Sequence, residues 1–198
     1  MIKIGITGTI AAGKTTVSIL LKRRGLPVFN TDNYARLILH KNNPCYPQIV
    51  KEFGEGILAE DGDIDRKKLA AVIFGDEEKR KKLNAISHPF VIEGMKRFFD
   101  RHSDQPLVFA EVPLLFEAHL EEYFDFVCVV SCKKETALRR MTEDRSYTPE
   151  EAQKRYDAQI DSMNQVEKAD YVIYNDGGIK DLDQVINRWI GDLRKRNP

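Results

Sequence analysis

Five short apolar segments, separated by longer stretches with helical spacing, set the pattern of this chain. They span residues 2–7, 27–29, 107–112, 126–130 and 171–174. Each is apolar without alternation, as is typical of strands buried on both faces of a parallel sheet. The pattern therefore predicts an α/β fold, with a five-stranded parallel sheet flanked by helices and a ligand site at the carboxyl ends of the strands.

Two intervals between strands are longer than simple crossovers require. The first contains four segments with helix-like apolar spacing, 44–53, 66–74, 76–86 and 89–102. Pro89 suits the first turn of a helix, so we expect a new helix to begin there. The second interval, 133–170, carries a capping box from Thr148 to Glu151 and predicts a helical hairpin. A last amphipathic helix, 179–194, is expected to cover the core.

A complete phosphate-loop motif follows the first strand. Residues 8–15 read Gly-Thr-Ile-Ala-Ala-Gly-Lys-Thr, which matches G-x-x-x-x-G-K-[ST] between a strand and a helix. Glycines let successive N–H groups point inward, and the helix N-terminus adds its positive dipole end. Lys14 would bridge the β- and γ-phosphates of a bound polyphosphate, Thr15 would ligate Mg²⁺, and Thr16 would meet the α-phosphate. A turn that only joins strand and helix is the alternative.

The composition places few constraints beyond this. The 198 residues include 31 basic and 31 acidic side chains, and 42% are hydrophobic, which suffices for a core of ordinary size. Balanced charge gives no indication of nucleic acid or an anionic membrane as partner. No apolar stretch approaches the roughly 20 residues of a membrane span, and the N-terminus reads as a strand rather than a signal peptide. We therefore expect a cytoplasmic protein.

Cysteine and histidine positions argue against disulfides and zinc. Cys45, Cys128 and Cys132 are an odd number without C-x-x-C spacing, so we interpret them as free thiols. The four histidines form no H-x-x-x-H or H-E-x-x-H arrangement, so no zinc site is expected.

Two acidic residues stand where strands end. A carboxylate at Asp32, after the second strand, would accept the proton of an alcohol that attacks the γ-phosphate. Capping of a helix that begins at Asn33 is the alternative. Glu111, at the end of the third strand, is either a Walker-B-type carboxylate or a solvated residue. The apolar run after it, 113–116 with Leu114, suits core packing or contact with an adenine or pantetheine group.

Guanidinium groups concentrate in the second interval, in a segment of the kind that closes over phosphates. They belong to Arg139, Arg140, Arg145 and Arg155. Arginine suits this role because it stays charged and binds phosphate oxygens bidentately. We expect one or two of the four to be functional, since ion pairs with neighbours such as Glu143 account for charge runs equally well.

Two further residues admit both a structural and a functional interpretation. His88 precedes Pro89 and would either cap the following helix or contact an anionic substrate group. Asn175 opens the sequence Asn-Asp-Gly-Gly after the fifth strand. That composition favours a tight turn, and the position also suits adenine recognition.

In combination these motifs resemble the dephospho-coenzyme A kinase family of P-loop small-molecule kinases, over nearly the whole chain. The resemblance is carried by residues 5–8 with the loop, Asp32 with Ala35-Arg36, His88-Pro89, residues 113–117, Arg155 with Gln159, residues 168–170, and Asn175 with Gly177. It implies ATP- and Mg²⁺-dependent phosphorylation of the ribose 3′-hydroxyl of dephospho-coenzyme A. The products would be coenzyme A and ADP, in the last step of coenzyme A synthesis.

The resemblance also implies three parts and a set of site residues. A nucleotide-binding core would comprise 1–32, 106–132 and 169–198, a helical acceptor-binding domain 33–105, and a helical lid 133–168. The matching catalytic residues are Asp32, Lys14 and Arg140. The matching nucleotide-binding residues are Gly8, Ala11, Ala12, Gly13, Lys14, Thr15, Thr16 and Asn175, with Thr15 as metal ligand. Acceptor-binding positions are Asp32, Arg36, His88, Leu114 and Arg155.

Three positions depart from the family pattern. Asn30 stands where an aspartate is usual, Ala12 where a glycine or serine is common, and Asp144 where a second lid arginine is normal, with Arg145 following. We expect a monomer acting on small molecules, with a homo-oligomer as the alternative. The competing functions are a nucleoside-monophosphate kinase of the same architecture and a nucleotide-dependent switch, although no Asn-Lys-x-Asp guanine signature occurs.

Overall fold

A computed structural model describes residues 1–158 and 164–195 of the chain. Gln159, one of the residues that carry the family resemblance, lies outside these ranges. The strands are β1 (Ile2–Gly8), β2 (Val28–Asn30), β3 (Leu107–Glu111), β4 (Phe126–Ser131) and β5 (Tyr171–Tyr174). All five predicted strands are confirmed, with ends that differ by at most one residue.

The strands form one parallel sheet in the order β2-β3-β1-β4-β5. The central strand β1 pairs with β3 and β4, so that Ile6 lies beside Glu111 on one side and Cys128 on the other. Gly8 ends β1 where a Cβ atom would stand 2.0 Å from the carbonyl oxygen of Val130. Only glycine permits this close approach, which brings the start of the phosphate loop against β4.

Two compact units divide the chain, Met1–Phe29 with Arg101–Pro198, and Asn30–Asp100. The first contains the sheet core, helix α1 (Lys14–Arg23) and the C-terminal helix α9 (Ile179–Lys195). In that core Trp189 of α9 packs edge-on against Phe109 and stacks on Tyr171, with ring centroids 5.6 Å apart in both pairs. The predicted role of α9 as core cover is confirmed.

The second interval of the sequence folds as the predicted helical hairpin. Helix α6 (Lys134–Arg145) is followed by α7 (Pro149–Asp157), and the short α8 (Asn164–Glu167) precedes β5. The predicted capping box opens α7, since the Thr148 hydroxyl accepts from the Glu151 N–H while the Glu151 carboxylate accepts from the Thr148 N–H. These two bonds satisfy N–H groups that a helix start would otherwise leave unpaired.

The unit Asn30–Asp100 consists of helices α2 (Thr31–Leu37), α3 (Tyr46–Phe53), α4 (Arg66–Ile73) and α5 (Glu77–Arg101). They enclose a core of their own, made of Ile38, Cys45, Ile49, Ile57, Ile64 and Leu69. All three cysteines of the chain are buried free thiols.

The prediction of a helix boundary at Pro89 is wrong. Helix α5 runs without interruption through this residue. An interior proline costs about 3 kcal/mol because it lacks an N–H and crowds the preceding turn. The apolar stripe Leu83, Ile86 and Phe90 packs on the same core on both sides of Pro89, and this shared burial keeps the two halves on one axis.

Within the described ranges, no helix combines the length and the apolar character that a membrane crossing requires.

Candidate active site at the phosphate loop

The loop after β1 curls around the ammonium group of Lys14. The Nζ atom donates to the carbonyl oxygens of Gly8 and Thr9, at 2.8 and 2.9 Å. Gly8, Ala11 and Gly13 all have positive φ, at 141°, 56° and 98°. Positive φ turns successive peptide N–H groups toward one side, which is the geometry of an anion-binding nest. The loop therefore has the shape that its sequence predicts.

Helix α1 begins directly from this loop. Its N-cap residue is Gly13, no side chain of the described residues caps it, and its first turn contains no acid. The positive end of the helix dipole at Lys14, Thr15 and Thr16 is therefore not neutralised by a carboxylate cap. Such a helix start favours a phosphate group.

Thr15 contacts the end of the neighbouring strand β3. Its hydroxyl donates to the Oε1 atom of Glu111 at 2.8 Å, and Glu111 is only 3% exposed. Of the two interpretations of Glu111, the solvated strand-end residue is wrong. The carboxylate lies at the position of a Walker-B acid, against the hydroxyl that the loop motif assigns to a metal ion.

Arg140, on helix α6 of the hairpin, reaches the loop. Its Nη1 atom donates to the carbonyl oxygens of Ala11 and Ala12 at 3.2 and 3.4 Å, and Nη2 donates to that of Asn175 at 2.9 Å. Two of the other three arginines have different partners. Arg139 pairs with Glu143 on the surface, and the Arg155 guanidinium stacks over the Tyr147 ring, 4.6 Å from its centroid.

Asn175 contacts the phosphate loop, in addition to turning the chain after β5. It is 6% exposed, and its Nδ2 atom donates to the carbonyl oxygen of Ala12 at 2.8 Å. A Cβ atom on Gly13 would lie 2.4 Å from this Nδ2 atom, so only a glycine at this position leaves space for the asparagine side chain.

The following residue, Asp176, accepts hydrogen bonds from the Lys133 N–H and the Thr136 hydroxyl at the start of α6. Sequence reasoning assigned no role to Asp176, although its place beside Asn175 at a strand end was a signal.

A cleft of about 360 Å³ runs along the loop. It is lined by Ala11, Gly13, Lys14, Thr15, Thr16, Arg140, Asp144, Arg145, Asn175, Gly177, Ile179 and Leu182. Its lining includes cations from the loop and from α6, and an apolar part at Ile179 and Leu182. Asp144, one of the positions that depart from the expected pattern, also lines this cleft, and so does Arg145.

The pKa of the Cys132 thiol, just after the end of β4, is shifted by burial and by charged groups of the site. Burial raises the pKa of Cys132, nearby Arg140 and Lys14 lower it, and Asp176 raises it. The buried Cys132 thiol therefore lies within electrostatic range of Lys14, Arg140 and Asp176.

Three residues predicted to face the acceptor lie on helices α2 and α5. The Oδ1 atom of Asn30 caps α2 by accepting from the Asn33 N–H at 2.8 Å, so the interpretation of Asp32 as that cap is wrong. Asp32 is an exposed residue in the first turn of α2, and Arg36 is exposed in its last turn. His88 lies inside α5, so it caps no helix there, and partial desolvation of its ring lowers its pKa.

The run 113–116 divides between the two roles that were considered for it. Leu115 and Phe116 are buried in the core, whereas Leu114 is 55% exposed. Core packing therefore accounts for Leu115 and Phe116, and the exposed Leu114 is left as a candidate ligand contact.

The parallel sheet with its phosphate loop after the central strand, and the helical hairpin that places Arg140 on that loop, define a P-loop kinase. Comparison with known proteins identifies which family of P-loop kinases this is. The model of the dephospho-CoA kinase family matches residues 2–181, and the chain belongs to this family. A dephospho-CoA kinase of Listeria monocytogenes is 40% identical over 191 residues, which cover 94% of each chain.

Solved structures agree with this assignment. A crystal structure of a Thermus thermophilus protein has a TM-score of 0.82 at 33% identity and covers 97% of both chains. Dephospho-CoA kinase from Campylobacter jejuni has a TM-score of 0.76 at 28% identity, over 99% of this chain and 98% of that one. The chain is therefore a kinase that uses ATP to phosphorylate dephospho-CoA in the synthesis of coenzyme A.

Proposed function

We propose that the phosphate loop, Glu111, Arg140 and Asp32 together transfer the γ-phosphoryl group of ATP to the ribose 3′-hydroxyl of dephospho-CoA. The observation that carries this proposal is the loop itself, with the Lys14 ammonium at its centre and Thr15 bonded to a buried carboxylate. Transfer forms a bond between the 3′-oxygen and the phosphorus atom and breaks the bond to ADP, which leaves with the electron pair.

In this proposal the loop and Arg140 supply positive charge on the two sides of the cleft. Peptide N–H groups of residues 11–16 and the Lys14 ammonium hold the β- and γ-phosphates. Arg140 exchanges its bonds to the carbonyl groups of Ala11 and Ala12 for phosphate oxygens when ATP enters. Fixed cations in a cleft stabilise the charge of the transferring group without reorganisation, which is the largest single contribution in many enzymes.

Thr15 and Glu111 fit a magnesium ion. Hydroxyl and carboxylate oxygens are the hard donors that Mg²⁺ prefers, and the ion usually keeps several of its waters. Thr15 would ligate the ion, and Glu111 would orient Thr15 or a bound water. When bound, the ion neutralises charge on the β- and γ-phosphate oxygens.

Asp32 is the proposed general base, and accepts the proton of the 3′-hydroxyl. Its support is threefold: it follows the end of β2 by two residues, its side chain is exposed, and capping of α2 is done by Asn30 instead. The other proposed acceptor contacts are Arg36, His88, Leu114 and Arg155. Arginine suits the anionic phosphates of the acceptor, and the exposed Leu114 suits its apolar arm.

We further propose that 33–105 binds the acceptor, that 133–168 acts as a lid, and that 1–32, 106–132 and 169–198 bind the nucleotide, with Asn175 beside the adenine. The separate core of the unit Asn30–Asp100 supports an acceptor domain with its own stability.

The three buried free thiols suit the reducing cytoplasm, where we propose that the protein acts as a monomer. Light scattering on the purified chain tests the monomer.

The test of the proposed function measures ADP release with Mg²⁺-ATP and identifies the phosphorylated product by mass spectrometry. Dephospho-CoA, AMP and shikimate are compared as acceptors. We expect turnover and a gain of one phosphoryl group with dephospho-CoA alone, located at the 3′-oxygen by fragmentation. Turnover with AMP would favour the nucleoside-monophosphate kinase, and ATP hydrolysis stimulated only by a protein partner would favour the switch.

A further inference from the structure

Asp176, in the loop after β5, binds the start of helix α6. Its Oδ1 atom accepts from the backbone N–H of Lys133 at 2.7 Å and from the hydroxyl of Thr136 at 2.8 Å. Lys133 is the residue before α6, and Thr136 lies in its first turn. One carboxylate oxygen therefore binds the helix start at two points, which restricts both its position and its direction.

The neighbouring residue contacts the same helix one turn further on. Thr136 and Arg140 are four residues apart and lie on one face of α6. Asn175 accepts from the Arg140 Nη2 atom through its carbonyl oxygen, at 2.9 Å. Residues 175 and 176 thus contact two successive turns of one helix face, and two such contacts determine the rotation of the helix about its axis.

The phosphate loop is joined to Asn175 and to Arg140. The Asn175 side chain donates to Ala12, and Arg140 donates to Ala11 and Ala12. Helix α6 also begins without a capping hydrogen bond from its own N-cap side chain. Asp176 therefore binds, from a distant part of the sequence, the N-cap N–H that the N3 side chain of a capping box would otherwise bind.

We propose that Asp176 is a positioning residue for phosphoryl transfer, which holds the start of α6 so that the Arg140 guanidinium stays at the phosphate loop. The proposal rests on the function proposed above for Arg140. Asp176 itself does not contact the reacting atoms; it acts through Thr136 and the orientation of the helix.

The experiment compares three variants of the full chain by kcat, by KM for each substrate and by thermal unfolding. Asp176→Ala removes the acceptor, and we expect kcat to fall ~10-fold or more, because misplacing a catalytic group by about 1 Å is that damaging. The KM for dephospho-CoA should stay unchanged.

Asp176→Asn keeps an oxygen that accepts both hydrogen bonds, so this variant should retain most of the activity. Thr136→Val, which removes one donor, should lower kcat in the same direction, and it serves as the test if Asp176→Ala does not fold.

Asp170→Ala is the matched control. The Asp170 carboxylate accepts from the Val127 N–H at 2.7 Å, and so makes a similar bond at the opposite end of β4 and β5. This variant should lose stability to a similar degree but keep its kcat, so that loss of kcat in Asp176→Ala is separated from loss of stability.

A double-mutant cycle with Arg140→Ala decides how Asp176 acts. If it acts through Arg140, adding Asp176→Ala to Arg140→Ala changes kcat no further. Full additivity, or wild-type kcat in Asp176→Ala, would overturn the inference. An Arg140→Ala variant with wild-type kcat would instead overturn the proposed function of Arg140, so the two failures are distinguishable.

Discussion

The hydroxyl of Thr15 donates to the carboxylate of Glu111 at 2.8 Å, and this bond joins the first turn of α1 to the end of β3. The two residues are 96 positions apart in the chain. They meet because β3 is the neighbour of β1, so that the ends of both strands reach the same edge of the sheet. The loop motif thereby acquires an acid that its own sequence does not contain.

Replacing Glu111 should change the dependence on magnesium. In Glu111→Gln we expect the Mg²⁺ concentration for half-maximal turnover to rise by ~10–100-fold, since partners that orient metal ligands typically contribute that much to affinity. Titration of activity with Mg²⁺ at saturating ATP measures this. Thr15→Ser keeps the hydroxyl and serves as the control with near wild-type dependence. An unchanged magnesium profile in Glu111→Gln would remove Glu111 from the metal site.

Removing the carboxylate of Asp32 should stop turnover but leave the nucleotide bound. We expect kcat to fall by ~10²–10⁴ in Asp32→Asn, the usual contribution of a general base, with the Kd of ATP within about twofold of wild type. Calorimetric titration of ATP and steady-state kinetics supply the two values.

The neighbouring cap gives a control for this prediction. Asn30→Ala removes the bond to the Asn33 N–H and should destabilise α2 by ~1 kcal/mol without a comparable loss of kcat. If Asn30→Ala and Asp32→Asn reduce kcat equally, the effect of Asp32 comes from the fold of α2 and not from proton transfer.

Gly13→Ala should disrupt the nucleotide site. Its φ of 98° is unfavourable for alanine, and the new Cβ atom would lie 2.4 Å from the Asn175 Nδ2 atom. We expect loss of measurable ATP binding together with a lower Tm. Gly25→Ala is the matched control, because Gly25 also has positive φ, at 75°, but its Cβ atom would meet nothing within 4 Å. It should lower stability by ~1–2 kcal/mol and leave ATP binding intact. Equal loss of binding in both variants would contradict the steric argument.

His88 should titrate below an ordinary histidine. His88 is exposed on α5, yet partial desolvation of its ring lowers its pKa from the model-peptide value of about 6.5, because desolvation disfavours the charged form. Between the two pKa values the unfolded chain binds more protons at this residue, so the free energy of unfolding rises with pH. His88 therefore stabilises the fold fully above pH ~6.5, and this contribution is lost as the pH falls through the lowered pKa.

Proton NMR of the four histidine rings tests this, with the His88 signal assigned by its absence in His88→Gln. The variant should also show a smaller loss of stability between pH 7 and 5 than the wild type, measured by urea unfolding. A His88 midpoint at or above about 6.5 would contradict the prediction.

Much of the fold was predictable because its signals are local. A strand buried on both faces needs apolar side chains in both directions, and all five strands were found from this requirement. The phosphate loop was equally visible, since glycine, lysine and threonine at fixed spacing are required by one backbone shape. The Thr148 capping box also depends on four consecutive residues only.

The exceptions have physical causes outside the local sequence. Pro89 signals a helix start by its own chemistry, yet burial of Leu83, Ile86 and Phe90 against one core carries α5 through it. Asp32 and Asn33 suggested a helix that begins two residues too late, because the cap is Asn30 at the end of the strand, which accepts from the Asn33 N–H.

The amino-acid sequence by itself determined the strands, the phosphate loop and, through the order of its motifs, the family. The tertiary structure alone decided which side chains complete the loop. Glu111, Arg140 and Asn175 reach it from three separate parts of the chain, Asp176 binds the start of the helix that carries Arg140, and no local spacing encodes that meeting. Their assembly follows from strand order and from the rotation of α6, which are set by burial of apolar surface over the whole sheet.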